Sequence, residues 1–316
     1  ILINFEELTF HLDLNKKIYV AYSGGPDSSA LLYLLHQNNI NNFEAIHINH
    51  NLSKNAFQWQ SHCEQVCESL KVKLHVESIE ITPEGDGLES AARKARYDIF
   101  SKYLNFNEQI LLGHHSNDVA ETFLLRLFRG TGVDGLDGLA VKRKVGEGYL
   151  VRPLIKFSKD QILNYLKSNN IKYINDESNF ELEQDRNYIR NTIIPAIENR
   201  WNKASSRIAK TSGFVKDRNS SYEYLFNIKF QSLISNKIEV NELKKLDEVF
   251  IIDILRMSFK NLGIAMPSKK IIDEIIKTFI KSNPGPKSEV SWTRADNDQP
   301  GGHICYRDKS IVISKK

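Results

Sequence analysis

The chain has 316 residues, which at roughly 100 to 200 residues per domain suits about two domains. With 41% hydrophobic residues, 26% charged residues and 8 prolines, it has the make-up of a folded globular protein, which excludes a collagen, a disordered tail and a coiled-coil rod. The net charge of +4 is unevenly spread: residues 1–125 hold 9 basic against 16 acidic side chains, 126–218 hold 18 against 11, and 219–316 hold 16 against 12. An acidic front before a basic rear suggests an enzyme domain joined to a grip for a polyanion.

No apolar run approaches the ~20 residues that a membrane helix needs, so no membrane association is expected. Cys63, Cys67 and Cys305 form an odd set without a Cys-x-x-Cys pair, which argues against a disulfide framework and for a reducing compartment, with the cytoplasm as the default. The chain opens on Ile1 rather than Met, and any preceding segment lies outside this reading.

In chain order, short apolar runs alternate with amphipathic stretches, the signature of βα units and a doubly wound, mostly parallel sheet. Strands are expected at 17–22, 43–49, 73–79 and 109–113, and helices at 28–38, 56–70, 88–104 and 117–128. The glycine-dense GTGVDGLDG and the following KRKVGEG read as a mobile connection, leading to a strand at 149–154 on the sheet edge. Ser158 is a candidate N-cap. From 186 to 281 the periodicity is helical, with breaks expected near Asn219, Asn241 and Pro267. A closing hairpin is expected with Asp308 and Lys309 in its turn. The domain boundary is placed near 217, giving a catalytic domain over 1–217 and a mainly helical C-terminal domain over 218–316.

Residues 22–29 read YSGGPDSS, between an expected strand and an expected helix. A strand that ends in Ser-Gly-Gly and hands over to a helix N-terminus turns backbone N–H groups and the positive end of a helix dipole on one point, a setting for phosphate. Gly24 and Gly25 admit a close backbone approach, Ser23 and Ser28 offer hydroxyl donors, and Asp27 could hold a magnesium ion that bridges phosphate oxygens. A plain turn uses the same residue types. The Walker and dinucleotide-binding glycine patterns are both absent, so γ-phosphate transfer is not the natural expectation.

The pattern SGGxDS resembles the PP-loop of the N-type ATP pyrophosphatase superfamily. HINHNLS at 47–53, ESAARKARY at 89–97, HHSNDVAET and LLRLFRGTGVDGL within 114–136, RPL at 152–154, DESN at 176–179 and DRNYIRNTIIP at 185–195 are similar in order and approximate spacing to the tRNA(Ile)-lysidine synthetase family. The likeness spans about 17–217, with a weaker likeness beyond it. It implies a two-step ligation: ATP activates C2 of the wobble cytidine in a CAU-anticodon isoleucine tRNA, releasing pyrophosphate, and the amine of free L-lysine displaces AMP. Adenylation turns a poor leaving group into a good one, which lowers the barrier of each step. ATP, Mg2+, the tRNA and free L-lysine are the implied cofactors and partners, and a homodimer is compatible with the reading.

On that resemblance the ATP site comprises Ser23, Gly24, Gly25, Pro26, Asp27, Ser28 and His50, with Asp27, Arg96 and Asp118 in catalytic roles. Arg93 and Arg96 lie one turn apart and could neutralise triphosphate charge, or form an ordinary surface pair. Asp118 and Glu121 share a helix face and could clamp a lysine ammonium group; without the family they read as a solvated helix start. Many relatives carry Asp where this chain has Asn117, which cannot act as a carboxylate. Arg129, Arg186, Arg190 and Arg207 are the candidate tRNA contacts, within a basic run at 186–218 that tracks phosphates or is a solvated surface. His50, His114 and His115 lack partners for a zinc set, and Cys63 and Cys67 read as core. The alternatives are a PP-loop tRNA thiolase, disfavoured by the lack of paired cysteines, and a non-catalytic RNA-binding module, disfavoured by the intact SGGPDS.

Overall fold

A computed structural model describes residues 3–51, 53–79, 88–175, 183–293 and 299–316. Their contacts divide into two units, one drawn from 1–82 and 95–220, the other from 83–94 and 221–316.

The first unit opens with the short helix α1 (Phe5–Thr9), whose first-turn N–H groups bond to the Asn4 side chain. Strand β1 (Ile18–Ala21) follows, then α2 (Pro26–Gln37), β2 (Phe43–Asn49), α3 (Ala56–Ser69), β3 (Leu74–Ser78), α4 (Leu88–Tyr103), β4 (Gln109–Leu111) and α5 (Ser116–Phe128). A 3-10 turn at Val133–Leu136 leads to β5 (Lys142–Val145), β6 (Gly148–Val151) and α6 (Lys159–Ser168). The six strands lie in the order β3-β2-β1-β4-β6-β5. The pairings β3–β2, β2–β1, β1–β4 and β4–β6 are parallel.

Alternation along β1 explains the layers, because successive side chains leave opposite faces of a strand. Ile18 and Val20 join Leu31, Leu35, Cys63, Cys67 and Ile162 on one face. Tyr19 faces the other way, with Phe100, Leu104, Ile110 and Leu150. Both faces of the strand are covered, as in parallel sheets generally, which accounts for its unbroken apolar sequence. Burial raises the thiol of Cys67 to about 12 and that of Cys63 further, which leaves both as unreactive core groups.

Residues 142–145, expected as part of a mobile connection, instead pair antiparallel with β6 and form the sheet edge, so β6 is one strand further in than its sequence suggested. The polar sequence KRKV suits an edge strand, which needs only partial burial. Ser158 caps α6, its hydroxyl accepting from the Gln161 N–H while the Gln161 side chain accepts from the Ser158 N–H. The basic segment forms α7 (Asp185–Tyr188), a widened π-helical turn at Ile189–Ile193, α8 (Ile194–Arg200) and α9 (Ala204–Phe230). Asn219 does not interrupt α9. Its amide donates to the carbonyl of Val133 at 3.3 Å, giving this poor helix former a partner outside the helix.

In the second unit, β7 (Lys237–Glu239) is followed by α10 (Val240–Leu243), α11 (Glu248–Asn261), α12 (Lys269–Ile275) and a π-helical turn at Ile276–Lys281. Strands β8 (Glu289–Trp292), β9 (Gly302–Arg307) and β10 (Ser310–Lys315) complete it. The expected hairpin is present as β9–β10, inside an antiparallel sheet of order β7-β10-β9-β8. Phe226, Leu255, Phe259, Phe279, Ile304 and Ile311 form its core.

Asp308 and Lys309 have φ of 48° and 61°, so both central turn residues are left-handed, as a two-residue type I′ hairpin requires. Replacing the pair with Asn-Gly removes the Cβ at 309 and places at 308 a residue that tolerates left-handed backbone. The double variant is expected to unfold later in urea, with a gain of about 0.5–1 kcal/mol.

Candidate active site

The turns that follow β1 and β4 leave the same edge of the sheet, because these strands are adjacent and parallel. After β1 the chain runs through Tyr22-Ser23-Gly24-Gly25 into α2. Gly24 has φ +79°, and a Cβ there would meet Ile174 Cδ1 at 2.7 Å and Cys63 Sγ at 3.1 Å. The Ile174 N–H donates to the Gly24 carbonyl at 2.9 Å, so the turn is held from outside as well. The Ser28 hydroxyl donates to the Gly25 carbonyl at 3.1 Å and accepts from the Ser23 N–H at 3.3 Å. Ser29 donates to the Gly24 carbonyl at 3.2 Å. Pro26 occupies the first turn of α2, where no helical hydrogen bond is lost. The turn is thus tied down before any anion reaches the helix N-terminus.

After β4, Leu112-Gly113-His114-His115 leads into α5. Gly113 lies against the first turn of α2, where an added Cβ would come within 2.9 Å of the Asp27 carbonyl carbon. The two turns therefore meet through a glycine that belongs to no recognisable phosphate-binding pattern. The His115 N–H donates to Asp118 Oδ2 at 2.8 Å. The His115 ring lies between two carboxylates, Nε2 3.5 Å from Asp27 Oδ1 and Nδ1 3.4 Å from Asp118 Oδ2.

Asp27 accepts from Lys159 Nζ at 2.7 and 2.8 Å on its two oxygens. Lys159 is the first residue of α6, and its N–H donates to Asn117 Oδ1 at 3.0 Å. The amide of Asn117 is therefore an anchor between α5 and α6. The lysine missing after the glycines in sequence is brought to the loop from 132 residues away.

Asp118 is 6% exposed and Glu121 2%. Arg186 donates from Nε to Glu121 Oε2 at 2.9 Å and from Nη2 to Asp118 Oδ1 at 3.0 Å. Arg190 donates from Nε to Glu121 Oε1 at 2.7 Å and from Nη2 to Glu121 Oε2 at 2.8 Å and Asp118 Oδ1 at 3.3 Å. Burial by itself raises the Asp118 carboxyl, but the neighbouring His115, His114 and Arg186 and the His115 N–H outweigh it and hold the group at about 2. Burial likewise opposes the Arg190 charge, and Glu121 more than restores it. The helix carrying the carboxylates is thus not solvated at its start, and two residues of the basic run lie against it.

A cavity of about 370 Å³ joins these elements, lined by Ser23, Gly25, Asp27, His50, Arg96 and Asp118 among others. Burial, and then the Arg96 charge, pushes the His50 imidazole down, and its Nδ1 is buried without a partner among the described residues. Arg129 and Arg207 are on the surface, Arg129 paired with Asp185 at 3.0 Å. DESN at 176–179 lies outside the described residues. The sequence assigns no site role to Lys159, His115, Arg152 or Gly113; the family-like blocks HHSNDVAET and RPL contain His115 and Arg152, and the expected N-cap at Ser158 adjoins Lys159.

A family model described as a PP-loop domain matches residues 3–197. The chain belongs to the PP-loop domain family. Among curated proteins, this PP-loop chain is 35% identical over 269 residues to a tRNA(Ile)-lysidine synthase of Coxiella burnetii, covering 84% of this chain and 60% of that protein. It is 36% identical over 258 residues to a protein of the same name in Francisella tularensis, covering 80% of this chain and 65% of that protein. The chain spans about 60–65% of the length of these curated relatives. Among solved structures, U34-tRNA thiolase NcsA from Methanococcus maripaludis aligns with a TM-score of 0.54 at 18% identity, covering 67% of this chain and 77% of that one, a likeness of fold.

Removing both arginines would strand two buried carboxylates. Arg186→Met with Arg190→Met is expected to cost about 3–5 kcal/mol in urea unfolding at neutral pH, and adding Asp118→Asn with Glu121→Gln should recover much of the loss.

Proposed function

We propose that this chain carries the activity for which its curated relatives are named, ATP-dependent attachment of L-lysine to C2 of the wobble cytidine in CAU-anticodon tRNA(Ile). The observation that carries the reading is a cavity lined by the PP-loop and by Asp118, a carboxylate of the buried, doubly charged corner. The loop suits an anion, and the corner offers two carboxylates and two guanidinium groups. Lysine bears two ammonium groups and a carboxylate, so a corner with both signs matches it. Asp118 and Glu121 take an ammonium group, and Arg186 or Arg190 takes the carboxylate.

The reaction follows from this arrangement. The N-terminus of α2, with Ser23 and Ser28, binds the β- and γ-phosphates that leave together as pyrophosphate. Arg96 stabilises charge that develops on the phosphates, and His50 bounds the nucleoside side of the cavity. Among the described residues no group of three metal-ligating side chains exists, so magnesium would rest on Asp27 and on phosphate oxygens, its usual pattern. When bound it neutralises phosphate charge. The surface arginines Arg129 and Arg207 bind the tRNA backbone. No helix of the described residues is long and apolar enough to cross a membrane. A sulfur-transfer reading is less well supported, since burial leaves Cys63 and Cys67 protonated.

Incubation with ATP, magnesium, labelled lysine and CAU-anticodon tRNA(Ile) is expected to place label on the RNA, and Asp27→Ala to abolish it. Intact tRNA binding without lysine transfer overturns the proposal. Replacing Arg129 and Arg207 with Ala is expected to lower the slope of log affinity against log salt by about 1 per lost phosphate contact in filter binding.

A further inference from the structure

Arg152 follows β6 directly and is 3% exposed, at the same end of the sheet as the loop after β4. Its side chain is fixed twice: Nη1 donates to the Ala140 carbonyl at 2.6 Å and Nε donates to His114 Nδ1 at 3.1 Å. Its own N–H donates to the Val141 carbonyl at 2.8 Å. A guanidinium group has donors and no acceptor, and it stays protonated in proteins. The Nδ1 atom that meets it must therefore present a lone pair, which leaves the single ring proton of a neutral His114 on Nε2. The ring lines the cavity that also holds Ser23, Asp27 and Arg96.

We propose that Arg152 is a positioning residue that locks His114 in its Nε2–H tautomer, so that an uncharged imidazole donates a hydrogen bond to the α-phosphate of bound ATP. The proposal rests on the ligase reading above. In the step concerned, the pyrimidine oxygen bonds to the α-phosphorus while the bond from that phosphorus to the bridging oxygen breaks. The bond's electron pair leaves on pyrophosphate. Charge shifts onto non-bridging oxygens as this happens, and a prepositioned donor stabilises it without reorganising. Burial also pushes the His114 ring down to about 3, with Arg152 and Arg186 reinforcing it against the opposing pull of Asp118. A neutral imidazole can polarise an oxygen in this way. One mechanistic consequence follows: with Nδ1 engaged and Nε2 protonated, His114 is not the base that takes a proton from the lysine amine.

The decisive measurement is nitrogen NMR of the protein labelled in histidine, at neutral pH and without substrate. His114, assigned by comparison with His114→Gln, is expected to show an unprotonated Nδ1 and a protonated Nε2. A proton on Nδ1, or a mixture of tautomers, overturns the proposal whatever the activity. In ATP–pyrophosphate exchange with tRNA, His114→Leu is expected to lower kcat about 10²-fold with ATP affinity within about threefold, and His114→Gln, which keeps a donor, to recover at least tenfold. Equal loss in both variants overturns the donor role. Arg152→Met is expected to release the tautomer preference while Arg152→Lys retains it; an unchanged His114 spectrum in folded Arg152→Met overturns the role of Arg152. Should wild-type protein transfer no lysine to RNA, the ligase reading fails, and the tautomer measurement still stands or falls by itself.

Discussion

Turns that leave neighbouring parallel strands come off one edge of a sheet, and the adjacency of β1 and β4 brings two such turns together at one corner. One turn ends in the helix N-terminus that suits phosphate; the other opens the helix bearing Asp118 and Glu121. Contact between them is close enough to need a glycine, Gly113 against Asp27. Everything assigned to the cavity follows from this adjacency, since neither turn alone encloses a ligand.

Charge decides what that corner can hold. Two carboxylates at a few per cent exposure are met by two guanidinium groups in near-bidentate geometry. The acidic front and basic middle of the sequence thus do not form two separate surfaces: part of the basic surplus is spent inside the first unit. Other cations, Arg129 and Arg207 among them, stay exposed, Arg129 in a surface pair with Asp185. Asp27 is likewise paired, with Lys159.

Local signals were read well where the chemistry is local. Ser158 caps α6 because a serine followed three residues later by glutamine completes its own box, and Asp308-Lys309 turns the final hairpin between two apolar runs. Structure departs from local propensity where burial or distant partners override it. Lys142–Val145 lacks the apolar alternation of a strand because only one side of an edge strand pairs. Asn219 sits inside a helix because Val133 satisfies its amide. The short strands β7 and β8 become visible as strands only when β10 and β9 lie beside them.

The sequence by itself determined the α/β order of the first unit, the glycine turn at Ser23–Ser28 that hands β1 over to α2, and the shared helix face of Asp118 and Glu121. These rest on spacing within a few residues, where backbone geometry leaves little freedom. Only the tertiary structure decided that Lys159 meets Asp27, that Arg186 and Arg190 close over the acidic pair, and that Arg152 reaches His114. Each of these pairs joins residues that chain order keeps apart, and long polar side chains reach a specific partner only after packing has removed the water that would otherwise satisfy them.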